Sequence, residues 1–225
     1  MYAMGGMTFP IMGYFVSEGY RHTSNLKKYM LRLFVVGLIA TPFHFMALSY
    51  PLGGGNPMYY PLLNIMFAIL FSLVVLVLYD KIKIRALFWL LYAFVILPLS
   101  FMFLEWYFIG VTTVLLFHII RNEKARRIVP PVFAGIAWLF LGLLARIGTA
   151  NLPEGFYSNA LVFDPEFTRL MPAFTIGCLF AVPFLMDYNG KRGRNDKWLF
   201  YAFYPLHLLV LAAIAFLFGV LGNTP

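Results

Sequence analysis

The sequence predicts an all-α polytopic membrane protein, a bundle of about eight transmembrane helices with the N- and C-termini both outside. Three observations predict it. Of the 225 residues, 62% are hydrophobic and only 12% charged, where soluble domains carry about a quarter charged. The apolar residues gather into eight blocks, most of them near the ~20 residues that one crossing needs. Lys and Arg then fall almost only in alternate gaps between those blocks. The first gap holds Arg21, Lys27 and Lys28, and the third Lys81, Lys83 and Arg85. The fifth holds Arg121, Lys124, Arg126 and Arg127, and the seventh Lys191, Arg192, Arg194 and Lys197. The second and fourth gaps and the C-terminal tail hold none. A chain woven through a bilayer shows this alternation because its cytoplasmic loops retain positive charge.

The spans follow in order. The first covers about 4–20 and stops at the polar run from Arg21 to Lys28; the second covers 29–50. Pro51 and the three glycines Gly53, Gly54 and Gly55 make the next connection a flexible turn. The third span, 60–79, ends at Asp80 and Lys81. The fourth, 86–104, turns sharply at Glu105-Trp106 into the fifth, 107–120. Pro130-Pro131 punctuates the chain before the sixth span, 131–147. An acidic connection with Glu154, Asp164 and Glu166 leads to the seventh, 169–186, and a short glycine-containing loop to the eighth, 198–220. Tyr and Trp recur at block ends (Tyr20, Tyr50, Tyr60, Tyr79, Trp106, Trp198), as interfacial anchoring requires. The whole chain, 1–225, reads as a single membrane domain.

Composition also excludes. Blocks of about 20 residues that are apolar all round have no polar side to give to water, and they lack the period-two alternation of a transmembrane barrel. The net charge of +8 sits in short loops between spans, so lipid headgroups rather than nucleic acid account for it. A lone cysteine, Cys178, forbids an internal disulfide, and four scattered histidines show no metal-ligand spacing.

Ionisable groups inside spans are costly and therefore informative. Arg32 and His118 lie within reach of the basic end, and Arg146 and Arg169 lie at outer boundaries; these read as structural. His207 sits nine residues after Trp198, about 13 Å along a helix axis. That is mid-membrane, beside a helix-bending Pro205. It reads equally as a satisfied histidine facing the bundle interior and as a general base. Glu18, at the inner end of the first span, reads equally as a partner for Arg21 or Arg32 and as a functional carboxylate. Asn64 needs a partner on another helix. Glu105 reads as wet, and His44 as a packing histidine.

Three stretches then resemble the TraX family of integral membrane proteins, named for acetylation of conjugative pilin. They are Phe9-Pro10-Ile11-Met12 with Glu18-Gly19-Tyr20-Arg21-His22-Thr23; Asn64-Ile65-Met66-Phe67; and Tyr204-Pro205-Leu206-His207-Leu208. The resemblance implies transfer of an acetyl group from acetyl-CoA, a co-substrate, to a protein or small-molecule acceptor such as a pilin-like protein. It implies His207 and Glu18 as catalytic groups, and Arg21, His22, Asn64 and Tyr204 around the substrate. Lys191, Arg192 and Arg194 would lie on the phosphates of the cofactor, with no metal. It also implies a multi-pass protein of the bacterial cytoplasmic membrane, with a homo-oligomer left open. Two departures accompany it. The family carries an additional first helix with an Asp-His pair, and this chain is expected to open after it. The family also tends to place an arginine where Gly6 stands. A non-catalytic membrane subunit binding a partner or lipid is the alternative reading, and a small transporter a third.

Overall fold

The computed structural model describes residues 2–52, 63–149, 165–190 and 197–222. Among them the chain forms eight helical rods, as the eight apolar blocks require. They are α1 (Tyr2–His22), α2 (Leu26–Leu52), α3 (Ile65–Lys81), α4 (Arg85–Phe103), α5 (Tyr107–Ile119), α6 (Glu123–Thr149), α7 (Pro165–Asp187) and α8 (Lys197–Gly222). Four of them contain stretches long and apolar enough to cross a bilayer: Leu26–Met46, Arg85–Phe103, Glu123–Ile147 and Leu170–Asp187. Tyr107–Ile119 and Ala202–Ile214 are shorter apolar helices. Large apolar side chains point outward along these rods, with Phe94 76% exposed and Phe140, Phe184 and Phe203 alike. Such a surface is stable against lipid, where water would drive it inward.

α1 is the hub. It packs on α7, α5, α3 and α6, while α8 packs chiefly on α2. Against α7 it approaches backbone to backbone. A Cβ at Gly6 would stand 2.5 Å from Phe174 O, and one at Gly177 would collide with Ala3 O and come within 2.8 Å of Met7 N. The Cys178 thiol closes the contact by donating to Gly6 O at 3.3 Å. An arginine at position 6 has no room in this packing. The core below is aromatic: Phe9 stacks on Trp106 at 4.3 Å and Trp138 on Phe174 at 5.2 Å.

Several boundaries differ from the sequence expectation. Pro130 and Pro131 do not precede α6 but lie inside it, because the helix starts at the Asn122 side-chain cap, which receives Ala125 N–H at 3.0 Å. α4 carries a π segment, Tyr92–Ile96, just before Pro98. The Leu97 N–H there reaches back to Tyr92 O, widening the turn where Pro98 brings no donor.

The ends of the rods sort by charge. α1 and α3 meet at their C-terminal ends through Tyr20 and Asp80, and α1 and α5 through Arg21 and His118 O. The start of α6 meets the end of α7 through Arg127 and Met186 O. The C-terminal ends of α1, α3, α5 and α7 and the start of α6 therefore lie on one face of the bundle.

α5 is too short for a full crossing. α5 has 13 residues, about 20 Å at 1.5 Å per residue, against a hydrocarbon thickness of about 30 Å. Its turn from α4 is sunk within the bundle, where Leu104, Trp106 and Tyr107 are buried. Leu63, just ahead of α3, bridges Leu104 there, with Leu63 N–H donating to Phe103 O at 2.7 Å and Glu105 N–H to Leu63 O at 3.2 Å. Irregular backbone at membrane depth is tolerated where protein buries it or where it lines a cavity.

Candidate functional site

Two polar clusters occupy the bundle, one at each end of α5. At the basic face, Arg126 is almost fully buried, with 3% exposure. Its Nη2 donates to Glu18 Oε1 at 2.7 Å and to the Tyr14 hydroxyl at 2.9 Å, and the guanidinium lies 4.8 Å over the Tyr14 ring. The Tyr14 hydroxyl donates in turn to Glu123 Oε1 at 3.2 Å, which also receives Arg127 Nε at 3.2 Å. Arg126 is thus a buried strut rather than a loop cation, and Glu18 pairs with it rather than with Arg32. Arg21 stands 3.9 Å from Glu18 and donates to Phe117 O at 3.2 Å and His118 O at 2.9 Å. His22 is exposed, 3.8 Å from Glu18. Beside this group, Asp80 receives the Tyr20 hydroxyl at 2.8 Å and lies 2.9 Å from His118 Nε2. The Arg126–Glu18, Tyr14–Glu123, Arg21–carbonyl, Tyr20–Asp80 and Asp80–His118 contacts each join two rods and clamp α1, α3, α5 and α6 together, and Arg127 adds α7 by donating to Met186 O at 3.2 Å.

The second cluster surrounds the sunken turn. Asn64 is buried, as its position in the third span required. Its Oδ1 caps α3 by accepting Met66 N–H at 3.1 Å, while its Nδ2 donates to Gly37 O at 2.9 Å and Thr41 Oγ1 at 3.1 Å on α2. The next backbone donor, Ile65 N–H, faces both the Glu105 carboxylate and the Tyr204 hydroxyl. His44 from α2 and His207 from α8 lie within electrostatic reach of that carboxylate.

Glu105 is half-buried rather than wet, with its Oε2 closed to solvent. Its Oε2 and the Nε2 of His44 are buried with no hydrogen-bond partner among the described residues. Nearby, Tyr107 holds a positive φ of 47°, which a bulky residue adopts only under constraint.

His207 bonds through Nδ1 to Phe203 O at 3.0 Å and stacks on the Phe203 ring at 5.1 Å. A carbonyl can only accept, so Nδ1 carries the proton and a neutral ring keeps its lone pair on Nε2. Tyr204 flanks the same ring at 5.3 Å.

The structure thus brings together three of the residues singled out from sequence: His207, Tyr204 and Asn64. It sets Glu18, Arg21 and His22 at the other end of α5, about 20 Å away along that helix. Lys191, Arg192 and Arg194 lie outside the described residues. Glu105 and His44 join the site although the sequence reading left them aside. Among the described residues, no three His, Cys, Asp or Glu groups converge to hold a metal ion.

Comparison with known proteins follows this geometry. A family model described as TraX protein matches residues 1–215. The chain is 27% identical over 216 residues to a probable fimbrial assembly protein FimC, serogroup H1, of Dichelobacter nodosus, covering 93% of this chain and 80% of that relative. No solved structure matches.

Proposed function

The chain belongs to the TraX family, and from that premise we propose that it is a membrane-embedded acetyltransferase serving pilus or fimbria assembly. Its donor is acetyl-CoA, and its acceptor is a hydroxyl or amine, on a pilin-like protein or on a smaller molecule. The fimbrial name of the Dichelobacter relative supports the assembly role. The charge of the basic face supports a polyanionic donor entering there, and the positive-inside rule makes that face cytosolic, in a bacterial cytoplasmic membrane.

One observation carries the catalytic reading: His207, in the sunken cluster, has Nδ1 engaged by Phe203 O and so offers Nε2 as a base. In the proposed reaction Nε2 takes the acceptor proton, and the acceptor oxygen or nitrogen forms a bond to the thioester carbonyl carbon. The carbon–sulfur bond breaks and coenzyme A leaves. The pantetheine arm delivers the thioester to the turn, while Tyr204 and the Asn64–Ile65 corner orient the polar groups. Lys191, Arg192 and Arg194, at the cytosolic end of α8 in this reading, hold the phosphates, with exposed His22 at the mouth. Arg21 is already engaged by two carbonyls and serves to shape the entrance.

The test uses purified protein in detergent with radiolabelled acetyl-CoA. Wild type is expected to bind the donor and pass label to an acceptor. His207→Ala is expected to lose about 10²-fold or more of the turnover while still binding acetyl-CoA. Intact transfer in His207→Ala refutes the base, and absence of acetyl-CoA binding in wild type refutes the enzyme in favour of a non-catalytic subunit.

A further inference from the structure

We infer that Glu105 is the proton donor to the departing coenzyme A sulfur, working opposite His207 in the same sunken site. This rests on the acetyl-transfer reading and adds the second half of its proton account. Transfer from a thioester to a hydroxyl or amine moves one proton off the acceptor and one onto sulfur. A single histidine handles the first; the second needs an acid near the carbonyl carbon.

The described residues offer one carboxyl there. Glu105 sits at the mid-bundle turn, beside an Ile65 N–H that also faces Tyr204. Its Oε2 is shut from solvent and has no hydrogen-bond partner among the described residues, so a proton on that oxygen remains available for donation. Among the described residues, the groups acting most strongly on its charge are not arginine or lysine. The titratable groups facing it are His44 from α2 and His207 and Tyr204 from α8. An oxygen closed to water and without a partner costs less as the neutral acid than as the anion. Glu18, by contrast, has a cation 2.7 Å away.

The step balances. The acceptor proton goes to His207 Nε2 as the new bond to carbon forms. The carbon–sulfur bond breaks with its electron pair on sulfur, and Glu105 Oε2–H protonates the thiolate. The carboxylate so formed is stabilised by the His44 ring and by Ile65 N–H. It then recovers a proton from His207, returning both groups to their starting states. Two ionisable groups set apart by environment, one kept acidic and one basic, is the arrangement such a transfer needs.

The experiment follows turnover of radiolabelled acetyl-CoA across pH for wild type, Glu105→Gln and Glu105→Asp, with acetyl-CoA affinity and thermal melting measured on the same samples. Glutamine preserves shape and neutrality but has no acidic proton. Glu105→Gln is expected to lose about 10²-fold or more in kcat, with affinity within about twofold and melting unchanged. Glu105→Asp recovers a measurable part. Wild-type kcat falls on the alkaline side as the carboxyl ionises, and that limb disappears in Glu105→Gln. Three results overturn the assignment: Glu105→Gln retaining more than about a tenth of the turnover, a loss that appears as weaker binding or melting, or an alkaline limb that persists in the variant. A wild type that neither binds nor turns over acetyl-CoA removes the acetyl-transfer reading itself, and the acid with it.

Discussion

Replacing Glu18 by alanine isolates Arg126, and the structure fixes how much that should cost. Arg126 is 3% exposed, and its closest anion is Glu18 at 2.7 Å; Glu123 is farther, at 3.4 Å, and shared with Arg127 and Tyr14. Breaking a buried pair by removing one partner costs about 3–5 kcal/mol. Tyr14 and Glu123 remain, so the lower end applies, about 3 kcal/mol. The converse change is milder. In Arg126→Met, Glu18 stays partly exposed and keeps Arg21 and His22 within 3.9 and 3.8 Å, so the loss is about 1–2 kcal/mol. In the double variant Glu18→Ala/Arg126→Met no charge is stranded, and stability returns near the Arg126→Met level. At about 2–4 °C per kcal/mol for a chain of this size, thermal melting in detergent resolves all three. Two outcomes refute the strut: Glu18→Ala within about 0.5 kcal/mol of wild type, or losses that simply add in the double variant. The same double variant separates strut from catalyst. If Glu18 acts only by holding Arg126, acetyl transfer survives in the refolded pair; if its carboxylate reacts, activity is lost although stability has recovered.

Two further changes probe the scaffold. Asn64→Leu removes the α3 cap and both donations to α2, and is expected to cost about 2 kcal/mol, roughly one for the cap and one for the carbonyl and hydroxyl left behind; a melting temperature equal to wild type would contradict this. Gly177→Ala forces α1 and α7 apart at Ala3 O and is expected to cost about 1–3 kcal/mol, read as a lower melting point, whereas an unchanged melt would mean that the two backbones have room to give.

The helical rods were legible because lipid imposes length and uniform apolarity on each segment, and a loop charge of one sign on alternate gaps. What escaped was governed by depth and by partner choice. Glu105 sits at a hairpin that, on average span lengths, should reach the membrane surface; only α5 with its 13 residues draws the turn inward. The single clue in the sequence was the short distance from Trp106 to the basic run at Arg121. Arg126 looked like one of four loop cations because helix α6 was taken to start at its prolines. The Asn122 cap moves that start back by more than two turns and carries Arg126 into the bundle. Asn64 and His207 were visible because each stands alone in an apolar block. Their neighbours, brought from α2 and the α4–α5 turn, are a property of packing that periodicity does not encode.

The difference between the two clusters argues for where chemistry belongs. At the basic face three anions each have a cation or a hydroxyl on another rod: Glu18 with Arg126, Glu123 with Tyr14, and Asp80 with Tyr20 and His118. Such groups join helices. Around Glu105 the pattern reverses: the neighbours are two histidines, a tyrosine hydroxyl and a backbone N–H, none a permanent charge. A proton can move among them without breaking a salt bridge that ties two rods. A low-dielectric site also strengthens each such transfer relative to water. The polar groups that hold this fold together and those suited to move a proton are therefore separated along α5, so that the second set can change charge while the first keeps the rods in place.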